Sequence, residues 1–214
     1  DTKYWVWING ELVIYEGGLK RGQTPFSTYY DKVDIAPYLH QGDNLIAVLL
    51  WHLGKNGFSH LDSGTAAMIF EAVGPGIEIL SDSTWESSVP HGYMDADTPA
   101  LNYRLAETSV RFDARQYPYD WFEGKNPDFM GSALQLPFVP GEAPFGTLVE
   151  RPIPMWKDYG MRDYESVEHR GDTLVCKLPY NCHIGPYLKL DAPEGRVIDM
   201  FTDHAVVTGT ECVR

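Results

Sequence analysis

The sequence has no stretch of about 20 apolar residues, so nothing in it has the length needed to cross a bilayer as a helix. Cations are scarce: 17 Lys and Arg stand against 30 Asp and Glu, a net charge of -13 with a pI near 4.8. A partner rich in phosphate needs clustered Lys and Arg, so this balance excludes nucleic acid, while a neutral ligand such as a sugar meets no such barrier. Cysteine is sparse too. Cys176, Cys182 and Cys212 all fall in the last 40 residues and are odd in number, which points to free thiols rather than a disulfide framework. Also missing are Gly-x-Ser-x-Gly, a phosphate loop and a dinucleotide fingerprint. Seven histidines are scattered, and the nearest useful pair, His52 and His60, has no Cys or carboxylate partner in register, so no metal and no cofactor are expected. Asp95-Ala96-Asp97 lacks the further oxygen ligands of a calcium loop and reads as solvated surface.

What the sequence does hold is turns and aromatics: 15 Pro, 20 Gly, 13 Tyr and 6 Trp in 214 residues, a composition suited to short strands joined by tight turns. Tyr4 to Ile8 alternates bulky side chains, Asn9-Gly10 follows, and Leu12 to Tyr15 is again β-prone. Both turn residues tolerate positive φ, so a type I′ hairpin is predicted. Gly17 to Thr28 has no periodicity and reads as a loop. After His40-Gln41-Gly42-Asp43-Asn44 comes the apolar run Leu45 to Leu50, a strand buried on both faces. Further strands are predicted at Ala66 to Val73, Ile77 to Leu80 and Thr108 to Ala114. Short strands at this spacing imply an all-β, antiparallel sandwich.

Tyr117 to Phe145 holds five Pro and reads as irregular chain on the sandwich surface. Arg151-Pro152-Ile153-Pro154 reads as an extended linker, because each proline disfavours helix in the residue before it. Strands are predicted again at Thr173 to Lys177, Tyr187 to Leu190 and Arg196 to Phe201. Two units follow from this pattern: residues 1–150 as a jelly-roll accessory domain, and residues 151–214 as a linker with the first part of a second β-sandwich. The sequence opens at Asp1 without a methionine or a leader-like segment, so it is expected to be a piece of a longer protein.

Tyr4-Trp5-Val6-Trp7-Ile8-Asn9-Gly10-Glu11-Leu12-Val13, then Val33-Asp34-Ile35, Tyr38-Leu39 and Gly42-Asp43-Asn44-Leu45-Ile46-Ala47-Val48, resemble the galactose-binding-type jelly roll of glycoside hydrolases. Phe112-Asp113-Ala114-Arg115, with Trp121 and Ala133 beyond it, is similar to a pattern of bacterial α-L-rhamnosidases. So are Ala143-Pro144-Phe145-Gly146-Thr147-Leu148, Arg151-Pro152-Ile153-Pro154 and the stretch from Lys189 to Met200. Leu178-Pro179-Tyr180-Asn181-Cys182-His183 departs from the family, where an Asp-Phe-Gly-Gln-Asn-like stretch is usual.

The resemblance implies a non-catalytic region of a periplasmic or extracellular enzyme, placed before an (α/α)₆ barrel that carries the paired carboxylates of glycoside hydrolysis. It implies no catalytic residue in this chain and a rhamnose-containing glycan as the possible ligand. The alternative is a carbohydrate-binding module of another glycoside hydrolase, such as a β-galactosidase-like enzyme, or a structural spacer. Trp51, His52, Lys55, Asn56, Phe58 and His60 share one loop directly after a core strand. Trp85 is a further aromatic. Sugars stack their C–H faces on aromatic rings and place hydroxyls on polar groups, so these seven residues are the candidate carbohydrate contacts. The competing reading is that Trp51, Phe58 and Trp85 are core.

Overall fold

The computed structural model describes residues 2–19, 22–54, 56, 61–95, 110–125, 131, 132, 139, 141–180, 182, 184, 185, 187–189 and 191–198. The fold is all-β: among the described residues, strands and a few single-turn 3-10 segments account for the regular structure.

The opening hairpin forms as its turn residues require. Strands β1 (Thr2–Ile8) and β2 (Glu11–Gly17) are antiparallel, with Ile8 opposite Glu11. Asn9 and Gly10 sit at φ 53 and 84, the two positive values of a type I′ turn. The register slips around Val6, a bulge that adds twist to the ribbon. The apolar run after Asn44 becomes β4 (Ile46–His52), antiparallel to β1 along its whole length, and gives a sheet ordered β2-β1-β4.

Alternation along β1 and β4 gives this sheet two faces. On one, Val6, Ile8 and Ile14 are buried and pack with Val33, Ile35, Tyr38, Leu39, Ile46, Val48 and Met155. On the other stand Lys3, Trp5 and Trp7, opposite Trp51, Leu49 and Ala47.

Asn9 does more than turn the chain. Its amide nitrogen donates to the Tyr38 carbonyl and to Asn44 Oδ1, and its Oδ1 accepts the Leu45 N–H. Asn44 in turn holds the His40 and Gly42 carbonyls and the His40 N–H. Two asparagines thus weld the hairpin tip to the turn that launches β4.

Strand β3 (Ser27–Tyr30) pairs with β11 (Thr147–Glu150), and the two run parallel across about 120 residues of sequence. The remaining described strands form four antiparallel pairs. These are β5 (Glu71–Gly74) with β6 (Ile77–Leu80), β7 (Glu86–Ser87) with β10 (Gly131–Ser132), β8 (Tyr93–Asp95) with β9 (Val110–Phe112), and β12 (Ser166–Arg170) with β13 (Thr173–Lys177).

Several expectations change. The strand predicted at Ala66 to Val73 begins only at Glu71, because the Phe70 N–H goes to the Ser81 hydroxyl, which ends the ladder. The strand at Thr108 to Ala114 is confined in its described part to Val110–Phe112, since Asp113 leaves it to cap a 3-10 turn. Residues 187–189 and 196–198, in stretches predicted as strands, have no strand pairing.

Arg151, expected in a linker, is instead part of the first unit. Its Nε donates to Asp31 Oδ1 at 2.8 Å, with the two side chains only 7% and 1% exposed. Asp31 Oδ2 also accepts the Gly18 N–H at 2.7 Å and the Tyr4 hydroxyl. Burial, with the Asp31 carboxylate beside it, pushes the Tyr4 phenol well above its ordinary range.

Cα proximity divides the chain after Met155, and the unit that begins at Trp156 contains the β12–β13 hairpin. Every residue of that hairpin is exposed.

Candidate functional site

The face of the β2-β1-β4 sheet that carries Trp5 and Trp7 borders an open cleft with a volume of about 1580 Å³. Its walls come from three stretches of the first unit: β1 with β4, residues Thr65 to Glu71, and residues Leu80 to Pro90. Glu16 of β2 with Tyr93, Tyr117, Trp121 and Phe145 completes the lining.

The aromatic walls are built by contacts between rings. Trp7 stacks on Phe122 with centroids 5.2 Å apart and meets Trp121 edge-on at 5.7 Å. Trp121 donates its indole N–H to the Tyr117 hydroxyl at 2.8 Å. Trp85 leans on Phe70 at 5.4 Å and donates its N–H to the Leu80 carbonyl. Trp5 meets Tyr15 edge-on. A second ring cluster joins Tyr93, Phe112, Tyr117 and Tyr119, and burial raises the phenols of Tyr93 and Tyr117.

What positions Trp121 is the Asp113-Ala114-Arg115 stretch. Asp113 accepts from the Arg115 backbone N–H, from Arg115 Nε and Nη2 at 2.8 Å each, and from Gln116. Its own N–H is held by the Gly92 carbonyl. The Arg115 side chain and backbone N–H together hold the Asp113 carboxyl well below the usual carboxylate range. This knot turns the chain after β9 toward a 3-10 segment at Trp121–Glu123, which sets Trp121 and Phe122 on Trp7.

Polar groups line the cleft more sparsely. The Lys3 ammonium reaches Glu16 at 3.1 Å and lies 5.9 Å from the Trp51 ring centroid. His52 Nε2 is 3.6 Å from Asp62 Oδ1. Glu71, Asp82 and Glu86 are further carboxylates of the lining. Asp82 is pulled to lower pKa by the Thr84 hydroxyl and N–H.

Of the seven candidate contacts, the structure brings Trp51, His52 and Trp85 to this one cleft. Asn56 is exposed, and its Oδ1 takes the Asp62 N–H, a tie within the loop. Lys55, Phe58 and His60 lie outside the described residues. Sequence reasoning missed Trp5 and Trp7 as cleft residues, although their period-two spacing places both rings on one face, and it left Trp121, equally readable as core, off the candidate contacts. It also missed the wall at Ala66 to Phe70, a stretch whose composition reads as strand.

No family model matches the sequence, and no curated protein matches it. Among solved structures, the chain is similar to a rhamnosidase of family GH78 from Bacillus sp. GL1, with 26% identity and a TM-score of 0.59. That similarity covers 72% of this chain and 16% of the rhamnosidase chain. The fold is rhamnosidase-like, and the chain corresponds to a region related to a glycoside hydrolase.

Proposed function

We propose that this chain is a non-catalytic accessory region of a secreted glycoside hydrolase of the α-L-rhamnosidase type, working in the periplasm or outside the cell. Its partner is an (α/α)₆ catalytic barrel of the same polypeptide, and its ligand is a rhamnose-containing glycan met in the aromatic cleft. The observation that carries this reading is the likeness to the GH78 rhamnosidase at 26% identity over 72% of this chain.

Two features support a scaffold over a catalyst. The residues that carry the sequence resemblance make internal ties: Asn9 and Asn44 join two turns, Asp113 and Arg115 fix a third, and Arg151 is locked on Asp31. Moreover, among the described residues Asp82 and Asp113 are carboxyls held at lowered pKa, the wrong direction for the proton donor that glycoside hydrolysis requires.

Sugar binding here is weak. A monosaccharide exchanges water hydrogen bonds for protein ones at little net gain, and each ring face adds about 0.5 to 1.5 kcal/mol, by analogy with aromatic pairs. The dissociation constant is then on the order of millimolar, since 1 mM corresponds to roughly 4 kcal/mol. The spacer alternative is favoured by one observation, the engagement of Trp7 and Trp85 with other rings.

The test is turnover and binding by the purified chain. No hydrolysis of an aryl rhamnoside and millimolar NMR shifts at Trp51 and Trp85 with rhamnose are expected. Robust turnover would overturn the accessory assignment, and shifts absent at 50-fold excess over a millimolar constant would leave the spacer.

A further inference from the structure

Two Asn-Gly steps occur in the chain, Asn9-Gly10 and Asn56-Gly57. Such steps are prone to deamidation, because glycine has no Cβ to hinder its amide nitrogen as it closes on the preceding side chain. Asn9 is exposed, so water reaches it. Its side-chain amide is nevertheless tied at both ends: Nδ2 donates to the Tyr38 carbonyl and to Asn44 Oδ1, and Oδ1 accepts the Leu45 N–H, each at 2.9 Å. The main chain is fixed as well, by the Asn9 N–H on the Leu45 carbonyl and by φ 53 in the turn. Asn56 is exposed too, and its Oδ1 takes the Asp62 N–H.

We infer that Asn9 is a deamidation site held shut by its weld to Tyr38, Asn44 and Leu45, and opened when that weld is lost. In the reaction the Gly10 amide gives up its proton and its nitrogen attacks Asn9 Cγ. The N–Cγ bond forms, the Cγ–Nδ2 bond breaks, and Nδ2 leaves as ammonia with that proton. Water then opens the succinimide at either carbonyl, giving aspartate or isoaspartate at position 9.

Ring closure swings the side-chain amide toward Gly10 and away from its three partners at once. The Leu45 N–H polarises the Asn9 side-chain carbonyl toward attack, but three hydrogen bonds lost together lower the population of the ring-closing rotamer by a factor on the order of a hundred. Fixation therefore outweighs activation. The change is also one-way: a carboxylate has no N–H to give the Tyr38 carbonyl or Asn44 Oδ1, and isoaspartate adds a main-chain atom to a two-residue turn. A hairpin tip that opens long enough to react cannot re-form its weld.

The experiment incubates the 214-residue chain at mildly alkaline pH, folded and in guanidinium chloride, and follows loss of ammonia at Asn9 and Asn56 by peptide mass spectrometry. In denaturant the two asparagines are expected to react at comparable rates, whereas folding is expected to slow Asn9 on the order of a hundredfold. Asn44→Ala, which removes one of the three bonds, is expected to speed Asn9 in the folded chain about fivefold and to leave the Asn56 rate unchanged. If that variant does not fold, the comparison of folded and denatured parent chain decides alone. An Asn9 rate that is the same folded and denatured would overturn the inference, and so would a folded Asn44→Ala chain that reacts at Asn9 no faster than the parent.

Discussion

Replacing Arg151 with Met removes one charge from a pair that has almost no contact with water, because the Arg151 and Asp31 side chains are 7% and 1% exposed. The Asp31 carboxylate would keep two neutral donors, the Tyr4 hydroxyl and the Gly18 N–H, and lose its counter-ion. Breaking a buried pair in this way costs about 3 to 5 kcal/mol, since the orphaned charge stays desolvated. Total stabilities run about 5 to 15 kcal/mol, so this is a large fraction of what holds the first unit together. Urea unfolding followed by tryptophan fluorescence measures it, as five of the six tryptophans lie in that unit. A double variant, Asp31→Asn with Arg151→Met, is expected to be more stable than the sum of the single losses predicts, with a coupling of about 1 to 3 kcal/mol. A loss below about 1 kcal/mol for Arg151→Met, or strict additivity in the double variant, would refute the reasoning, because the typical cost of an uncompensated buried charge would then be absent.

Other outcomes are expected. Gly146 sits at φ +64, and a Cβ there would lie 2.1 Å from the Phe26 carbonyl oxygen. Gly146→Ala should therefore destabilise by about 2 to 4 kcal/mol, combining left-handed strain with a backbone clash, as read from denaturant midpoints. Asn44→Ala should cost about 1 to 2 kcal/mol by loosening the weld at the hairpin tip, and slower amide exchange at Leu45 in the variant would contradict this. The Tyr4 phenol is raised in the folded state, so its contribution to stability is complete below the unfolded pKa near 10 and is lost as pH climbs above it. Tyr4→Phe should flatten the fall in stability between pH 9 and 11, measured by urea titration at each pH. Asp113 shows the opposite sign: its lowered pKa stabilises above the unfolded value near 4 and is lost on acidification. Asp113→Asn should release Trp121 from Trp7, visible as reduced near-ultraviolet dichroism.

Local chemistry was legible in the sequence, and pairings at long range were not. Asn9-Gly10 named its own turn because few residues accept two successive positive φ values, and Leu45 to Leu50 located β4 by continuous apolarity bounded by a turn. Nothing in the local pattern could tell Asp31 from any other exposed-looking aspartate, since its partner lies 120 residues away. The Pro-flanked Arg151 looked like linker for the same reason. Asp113 was misjudged as a strand residue because alternation through Phe112 continues plausibly past it, while its cap depends on Arg115 folding back. For the cleft, Trp51, His52 and Trp85 were legible as aromatic and polar groups near turns. Their meeting with Trp5 and Trp7 depended on β4 pairing with β1, a matter of sheet order that residue types alone do not encode.

The Asp31 carboxylate joins Tyr4, near the start of the first unit, to Arg151, close to where that unit gives way to the next. The two ends of the continuous segment that runs to Met155 are thereby stapled at one point, the geometry of a cassette that can be spliced into another chain without prying those ends apart. A circular permutant that links residue 155 to residue 2 through a short flexible tether, and is opened in the exposed turn at Gly42, should fold with that staple intact.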